Sequence, residues 1–289
     1  MNSYKWIMRI LYGVTLLLYL YFLVDGWAFY TTPYAERPFH EQYRYLRPAG
    51  FQGHGFGIVG SAMMIFMLLY SARKRWRFMR HWGLLRHWLD VHIYFGIFGP
   101  LFVILHSAFK VQGLIAVSFW SMILVMCSGI LGRYLYLKIP RDVTGEELSL
   151  RQLQEQEKEL VQALAERYRL DTSVQERIQA LADMRRLESL PLLILLFTLF
   201  FQDIVRPFRM RRFRQMLRRQ SGLSAKEAKT MSQLVQQKIT LHQKVVLINK
   251  IHRLFHYWHV FHKPFAIIMY LIMFVHVGIS VWLGYTWIF

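Results

Sequence analysis

His92-Ile-Tyr-Phe-Gly-Ile-Phe-Gly-Pro-Leu-Phe-Val-Ile-Leu-His106 places two histidines fourteen positions apart in an apolar stretch. His262-Lys-Pro-Phe-Ala-Ile-Ile-Met-Tyr-Leu-Ile-Met-Phe-Val-His276 repeats the interval near the other end of the chain. Fourteen helical residues turn through close to four full turns and rise about 21 Å, so both imidazoles of a pair share one helix face. They would lie near opposite edges of a hydrocarbon layer about 30 Å thick. Other pairings fit worse: the steps from His87 to His106 and from His259 to His276 put the two rings on different faces. Ionisable groups inside lipid-spanning helices are costly and mark functional sites, and here four stand at matched depths.

The chain around these stretches is built for lipid. Of 289 residues, 55% are hydrophobic and 16% aromatic, too apolar for an ordinary soluble domain. A net charge of +19 would suggest nucleic acid in a soluble protein, but most of it falls in loops beside apolar runs. There it records positive-inside orientation and contact with anionic lipid, so no nucleic-acid partner is expected. The one cysteine, Cys127, excludes an internal disulfide, a Cys-x-x-Cys-His haem attachment and a four-cysteine iron–sulfur cluster. No glycine-rich dinucleotide fingerprint, Walker loop, His-Glu-x-x-His or Gly-x-Ser-x-Gly occurs.

Taken in order, Lys5 and Arg9 precede an apolar run at 10–24 with no small-residue cleavage site after it, which predicts an uncleaved first span and a cytoplasmic N-terminus. Residues 25–54 read as an outer loop and 55–70 as a second span. Arg73, Lys74, Arg75, Arg77, Arg80 and Arg86 form a dense basic turn that assigns its side as cytoplasmic. The third span, 87–109, carries the first histidine pair. Pro100 lies midway, and Gly96 and Gly99 leave room for a neighbour or a ring. A fourth span covers 114–137, with Gly129-x-x-Gly132 as a close-packing signal.

Residues 142–253 then read as a cytoplasmic helical insertion. Thr144-x-x-Glu147 is a capping box, and a second helix is expected after Asp171. Residues 206–253 hold thirteen bases against one acid, Glu227. Between the two parts, 190–205 is apolar but short for a span, and crossing would carry those bases outside. It reads as an interfacial or re-entrant helix, which makes the two histidine helices run the same way. Crossing would instead pair His92 with His276 and His106 with His262. Ser224-x-x-Glu227 caps a long helix leading to the final span, from 261, with Pro264 expected in its first turn. Trp282, Tyr285 and Trp287 would form an aromatic belt.

The expected architecture is therefore an all-α polytopic membrane helix bundle of about five spans plus one interfacial helix. Its parts are spans one to four at 1–141, the insertion at 142–253 and the last span at 254–289. With His92 facing His262 and His106 facing His276, each couple can hold one flat, iron-centred macrocycle. The expected cofactors are two non-covalent b-type haems. Two histidines per iron leave no open position, which suits electron transfer. The second ring nitrogen of each ligand needs an acceptor. The carbonyl four residues earlier is the natural one, here that of Trp88, Phe102, Trp258 or Ile272. Propionate partners would come from Arg86, Arg133, Arg253 and Lys263 on one side and Arg44, Arg47 and Lys110 on the other.

The two His-x13-His helices resemble the four-histidine core of the cytochrome b family and of the ferric reductase-like transmembrane domain shared with NADPH oxidases. The resemblance covers the third and last spans, about a sixth of the chain, and implies haem ligation for His92, His106, His262 and His276. The chain lacks the fused flavin and nucleotide domain of ferric reductases and the quinone-site motifs of the classical complex. Its insertion has no counterpart there. The leading expectation is an electron-transfer subunit of a respiratory or metal-reducing oxidoreductase in a bacterial inner membrane. It would work within a complex, between a quinol or cytoplasmic redox protein and an outer-face acceptor. A haem or metal transporter, and a non-catalytic scaffold binding lipid through its basic helices, are the alternatives.

Overall fold

The computed structural model describes residues 2–79, 81–139, 149, 151–156, 158–159, 187, 189–220 and 224–285. The Thr144 capping box, the helix expected after Asp171, Arg80 and Trp287 lie outside them. Among the described residues the chain is helical throughout and contains no strand, so the all-α polytopic bundle stands. Five helices are long and apolar enough to cross a membrane.

Helix α1 runs Asn2–Asp25, followed by short α2 (Trp27–Thr31) and α3 (Tyr43–Leu46). The long helices α4 (Phe51–Arg75), α5 (Leu85–His106) and α6 (Gly113–Lys138) come next. The next long helices among the described residues are α7 (Leu192–Gln220), inside the expected insertion, and α8 (Ala225–Trp282), which begins inside it. The helices overrun the apolar runs that predict them, because a helix has no reason to stop at the hydrocarbon edge while its backbone bonds remain available. Helix α5 is the exception: it stops at His106, and Ala108 and Phe109 adopt φ of 47° and 60°. The expected third span therefore ends three residues early, in a left-handed turn that side-chain-bearing residues seldom enter.

Two compact units divide the chain, one of residues 1–131 and 259–289, the other of residues 132–258. In the first, α4 and α5 are the most closely packed pair. Gly60 sits against the Gly99 carbonyl, where a methyl group would lie 2.8 Å from that oxygen. The small-residue seam Gly53-x-x-x-Gly57-x-x-Gly60 makes the approach possible, since helices in lipid associate by backbone proximity. Gly99 thus serves the neighbouring helix, being in contact range of Met64 and Gly60. Helix α1 joins this pair through an aromatic core of Tyr19, Tyr94, Phe98 and Phe102, and through a buried 2.6 Å hydrogen bond between Thr15 Oγ1 and the Tyr94 hydroxyl. Arg73, from the basic turn, is buried and donates to the Gly83 and Trp82 carbonyls, closing the loop into α5.

In the second unit α7 and α8 form an antiparallel hairpin. Leu217 packs near Ala228 and Met231 beside the connection, and Leu195 and Leu199 pack near Leu247 and Ile251 at the far end. The capping box forms as expected: the Ser224 amide donates to Glu227 Oε2 at 3.0 Å, and the Glu227 amide to Ser224 Oγ at 3.3 Å. Two boundaries differ from expectation. Helix α7 continues through Pro207 into the basic stretch, so the apolar segment and the arginines share one helix. Pro264 lies inside the 58-residue α8 and not in the first turn of a separate span. Proline removes one intrahelical bond, but helix on both sides carries the chain through.

Candidate functional site

The four histidines are all in the first unit, on α5 and α8, and all are half-buried. At one end the rings of His106 and His276 face each other with centroids 6.4 Å apart and planes at 58°. Towards the other end, His92 is anchored on the Met67 carbonyl of α4 and His262 on Ser128 of α6. Gly99 on α5 and Tyr270 on α8 both meet Met64, and the later residues His106 and His276 meet each other, so helices α5 and α8 run the same way, and by register His92 is the counterpart of His262.

Three of the four rings are fixed through Nδ1. His106 Nδ1–H donates to the Gly53 carbonyl at 2.8 Å, and His92 Nδ1–H donates to the Met67 carbonyl at 3.2 Å. A carbonyl can only accept, so both rings carry their proton on Nδ1 and the lone pair on Nε2. His262 Nδ1 lies 2.7 Å from Ser128 Oγ. The Ser128 hydroxyl donates to the Val125 carbonyl at 2.9 Å, leaving its oxygen to accept from His262. All three imidazoles thus carry their lone pair on Nε2.

These partners correct the expectation of acceptors within the same helix. They come from α4 and α6 instead: the Gly53 and Met67 carbonyls and Ser128 Oγ reach the rings from neighbouring helices. Gly57 is the clearest case: a methyl group there would sit 2.6 Å from His106 Nδ1. Gly129 is next to His262, 3.8 Å from a would-be methyl to Cε1, and Gly132 admits the Trp258 indole. The Gly129-x-x-Gly132 signal is therefore a true packing seam.

Between the two levels the interior is filled by Met64, Met122, Met269 and Met273, with Phe119, Tyr270 and Val103 around them. The Tyr270 hydroxyl donates to the Met64 carbonyl at 2.6 Å, and Ser118 Oγ donates to the Met269 carbonyl at 3.1 Å. These two bonds tie α4 and α6 to α8 halfway between the histidine levels.

Sequence reasoning missed His54. Its ring centroid is also 6.4 Å from that of His106. His54 sits on α4, however, the helix most tightly packed against α5, where glycines bring the backbones together. At Gly57, Gly60 and Gly99 the α4 and α5 surfaces come within contact distance, which leaves no room there for a macrocycle. Among the described residues no cluster of three or more metal-ligating side chains has the geometry to hold a bare ion. His87 has a packing role, with its ring stacked 3.9 Å from that of Tyr4. Of the cations expected near propionates, Arg133 lies over the Tyr136 ring, Arg47 over Tyr43 and Lys110 over Tyr34.

The fit to a bis-imidazole iron can be tested on the His106–His276 couple. Two collinear metal–imidazole bonds of about 2 Å each, with the ring half-widths added, put the centroids about 6 Å apart. The observed 6.4 Å agrees. The donor set fits as well, since neutral imidazoles with anchored Nδ1 are the usual ligand state. No protein-family model, curated protein or solved structure matches the chain.

Proposed function

We propose that the chain is a di-haem, b-type membrane protein that moves electrons across the bilayer, as a subunit of a respiratory or metal-reducing chain. His92 and His262 would hold one haem, and His106 and His276 the other. Bound there, the haems would supply one-electron redox chemistry at two depths in the hydrocarbon layer. The single observation that carries the reading is the 6.4 Å spacing of His106 and His276, with His106 locked in its Nδ1–H tautomer.

The chain's own groups have separate tasks. The imidazoles would hold the iron through Nε2. The Gly53 and Met67 carbonyls and Ser128 Oγ orient three of them and raise their basicity. The methionine and aromatic layer between the levels keeps water out and surrounds the path with polarisable sulfur. The basic side, cytoplasmic by the positive-inside bias, would meet a quinol or a redox protein; the acceptor would lie at the other face.

The test is a visible spectrum of the purified chain with a haemochrome count. Two six-coordinate b-type haems per chain are expected. The observation favouring a second reading, a metal or haem transporter, is the third imidazole, His54, beside His106. Substoichiometric, exchangeable haem would favour that reading.

A further inference from the structure

Helix α7 is apolar on two opposite faces in its first half. Leu195, Leu196 and Leu199 are buried, the first and last against α8. Leu193, Ile194, Phe197, Phe201, Ile204 and Phe208 are exposed, Phe197 by 72% and Phe201 by 66%. A helix apolar all round belongs in a protein interior or in lipid, and these six side chains have no interior. Beyond Pro207 the exposed face changes character: Arg209, Arg211, Arg212, Arg218 and Arg219 are all turned outward.

The position of the change is fixed by α6. Leu196 packs near Leu135, and the ring of Phe200 meets that of Tyr134. Asp203, one helical turn on, accepts from the Tyr134 hydroxyl and pairs with Lys138 and Arg206. Lys138 is the last residue of a helix apolar enough to span a membrane. The apolar half of α7 therefore lies beside the closing turns of that span, at hydrocarbon depth, and the arginines begin where the span ends.

We propose that the first half of α7 is inserted in the acyl layer of the leaflet at the α6 C-terminal end, with Arg209, Arg211 and Arg212 on anionic phospholipid headgroups. The occupant is the lipid of the same membrane. The argument rests on two independent observations: the alignment of the exposed apolar face with the end of a span, and the charge that follows it. Basic residues next to an inserted apolar face add attraction to an anionic surface that salt weakens.

The test uses the full chain in a Cys127→Ser background, in nanodiscs of phosphatidylcholine with or without phosphatidylglycerol. Nitroxides are placed by Phe197→Cys and Phe201→Cys, with Ile130→Cys as lipid reference and Lys226→Cys as aqueous reference. Collision rates with oxygen and with a water-soluble nickel chelate should match those of Ile130→Cys at both phenylalanine positions. Rates matching Lys226→Cys would overturn insertion. Immobilised labels shielded from both reagents would point to a protein partner and overturn it equally. For the headgroup part, spin-labelled phosphatidylglycerol should associate several-fold more than phosphatidylcholine, and the ratio should fall towards one in Arg209→Gln/Arg211→Gln/Arg212→Gln. An unchanged ratio would remove the arginines from the proposal. The three arginines are exposed, so the variant keeps its core.

Discussion

His106 and His276 face each other across α5 and α8 with ring centroids 6.4 Å apart, and His106 is held by the Gly53 carbonyl so that Nε2 carries its lone pair. His54, on the closely packed α4, lies at the same distance from His106. On the proposed assignment His106 and His276 are the ligands and His54 is a neighbour. His106→Ala and His276→Ala should each remove the same one of two haems, and His54→Ala should leave both. Haem counts with a redox titration of each variant check this; loss of a haem in His54→Ala would reassign the couple.

Gly57→Ala is a narrower probe of the same end. The added methyl would lie 2.6 Å from His106 Nδ1, so the ring must turn and its bond to Gly53 must break. Overpacking of this kind costs about 1–3 kcal/mol. The haem held by His106 should shift its potential and its low-spin resonance signature, while the one held by His92 stays as it was. Two unmoved signals would show that Gly57 does not govern the ring.

Ser128→Ala addresses the opposite end. Without Ser128 Oγ, His262 Nδ1 loses that 2.7 Å contact and, as the proposed ligand, would be less basic. A weaker donor disfavours the ferric state, so the potential of that haem should rise. Loss of such a partner weakens metal affinity by about 10- to 100-fold. Ser118→Ala, which removes only a bond to the Met269 carbonyl, is the control. A lowered or unchanged potential in Ser128→Ala would exclude the orienting role.

The approach of His106 to His276 was legible because helix rise and rotation are fixed numbers, so equal spacing on two helices survives any detail of packing. The apolar runs likewise announced the spans, and Ser224-x-x-Glu227 announced the start of α8, since both are local signals. What escaped was set by neighbours. The Nδ1 acceptors lie on α4 and α6, and nothing in the sequence near His106 or His262 points to Gly53 or Ser128. The seam Gly53, Gly57 and Gly60 was the readable trace of that packing and went unused. Pro264 was placed by a local rule that fails once helix continues on both sides. Arg44, Arg47 and Lys110 drew attention as charges, whereas Arg37, buried by its loop, was indistinguishable from them by composition.

Arg37 supports the final prediction. It is 8% exposed, with its guanidinium over the rings of Phe29 and Tyr34. Its three nitrogens donate to the carbonyls of Thr32, Tyr30 and Ala108 at 2.9, 2.7 and 2.6 Å. The Tyr34 hydroxyl donates to the Phe109 carbonyl beside them. These bonds fall on Ala108 and Phe109, the two left-handed residues directly after the helix that ends in His106. Left-handed backbone at a residue with a side chain costs about 1–2 kcal/mol each, so something must hold the turn, and the guanidinium fork does. Lysine cannot reproduce it, having one compact donor group in place of a rigid planar set. Arg37→Lys should therefore leave buried carbonyls unmatched, at about 1–3 kcal/mol for each one lost, and lower the thermal midpoint in detergent by several degrees. Adding Ala108→Gly to Arg37→Lys should restore part of the loss, because glycine adopts the turn without strain. The same glycine substitution in the otherwise unchanged chain should gain little, since the turn is already held. Equal effects of Ala108→Gly in both backgrounds would mean that Arg37 and the left-handed turn are energetically independent, and the clamp would have to be abandoned.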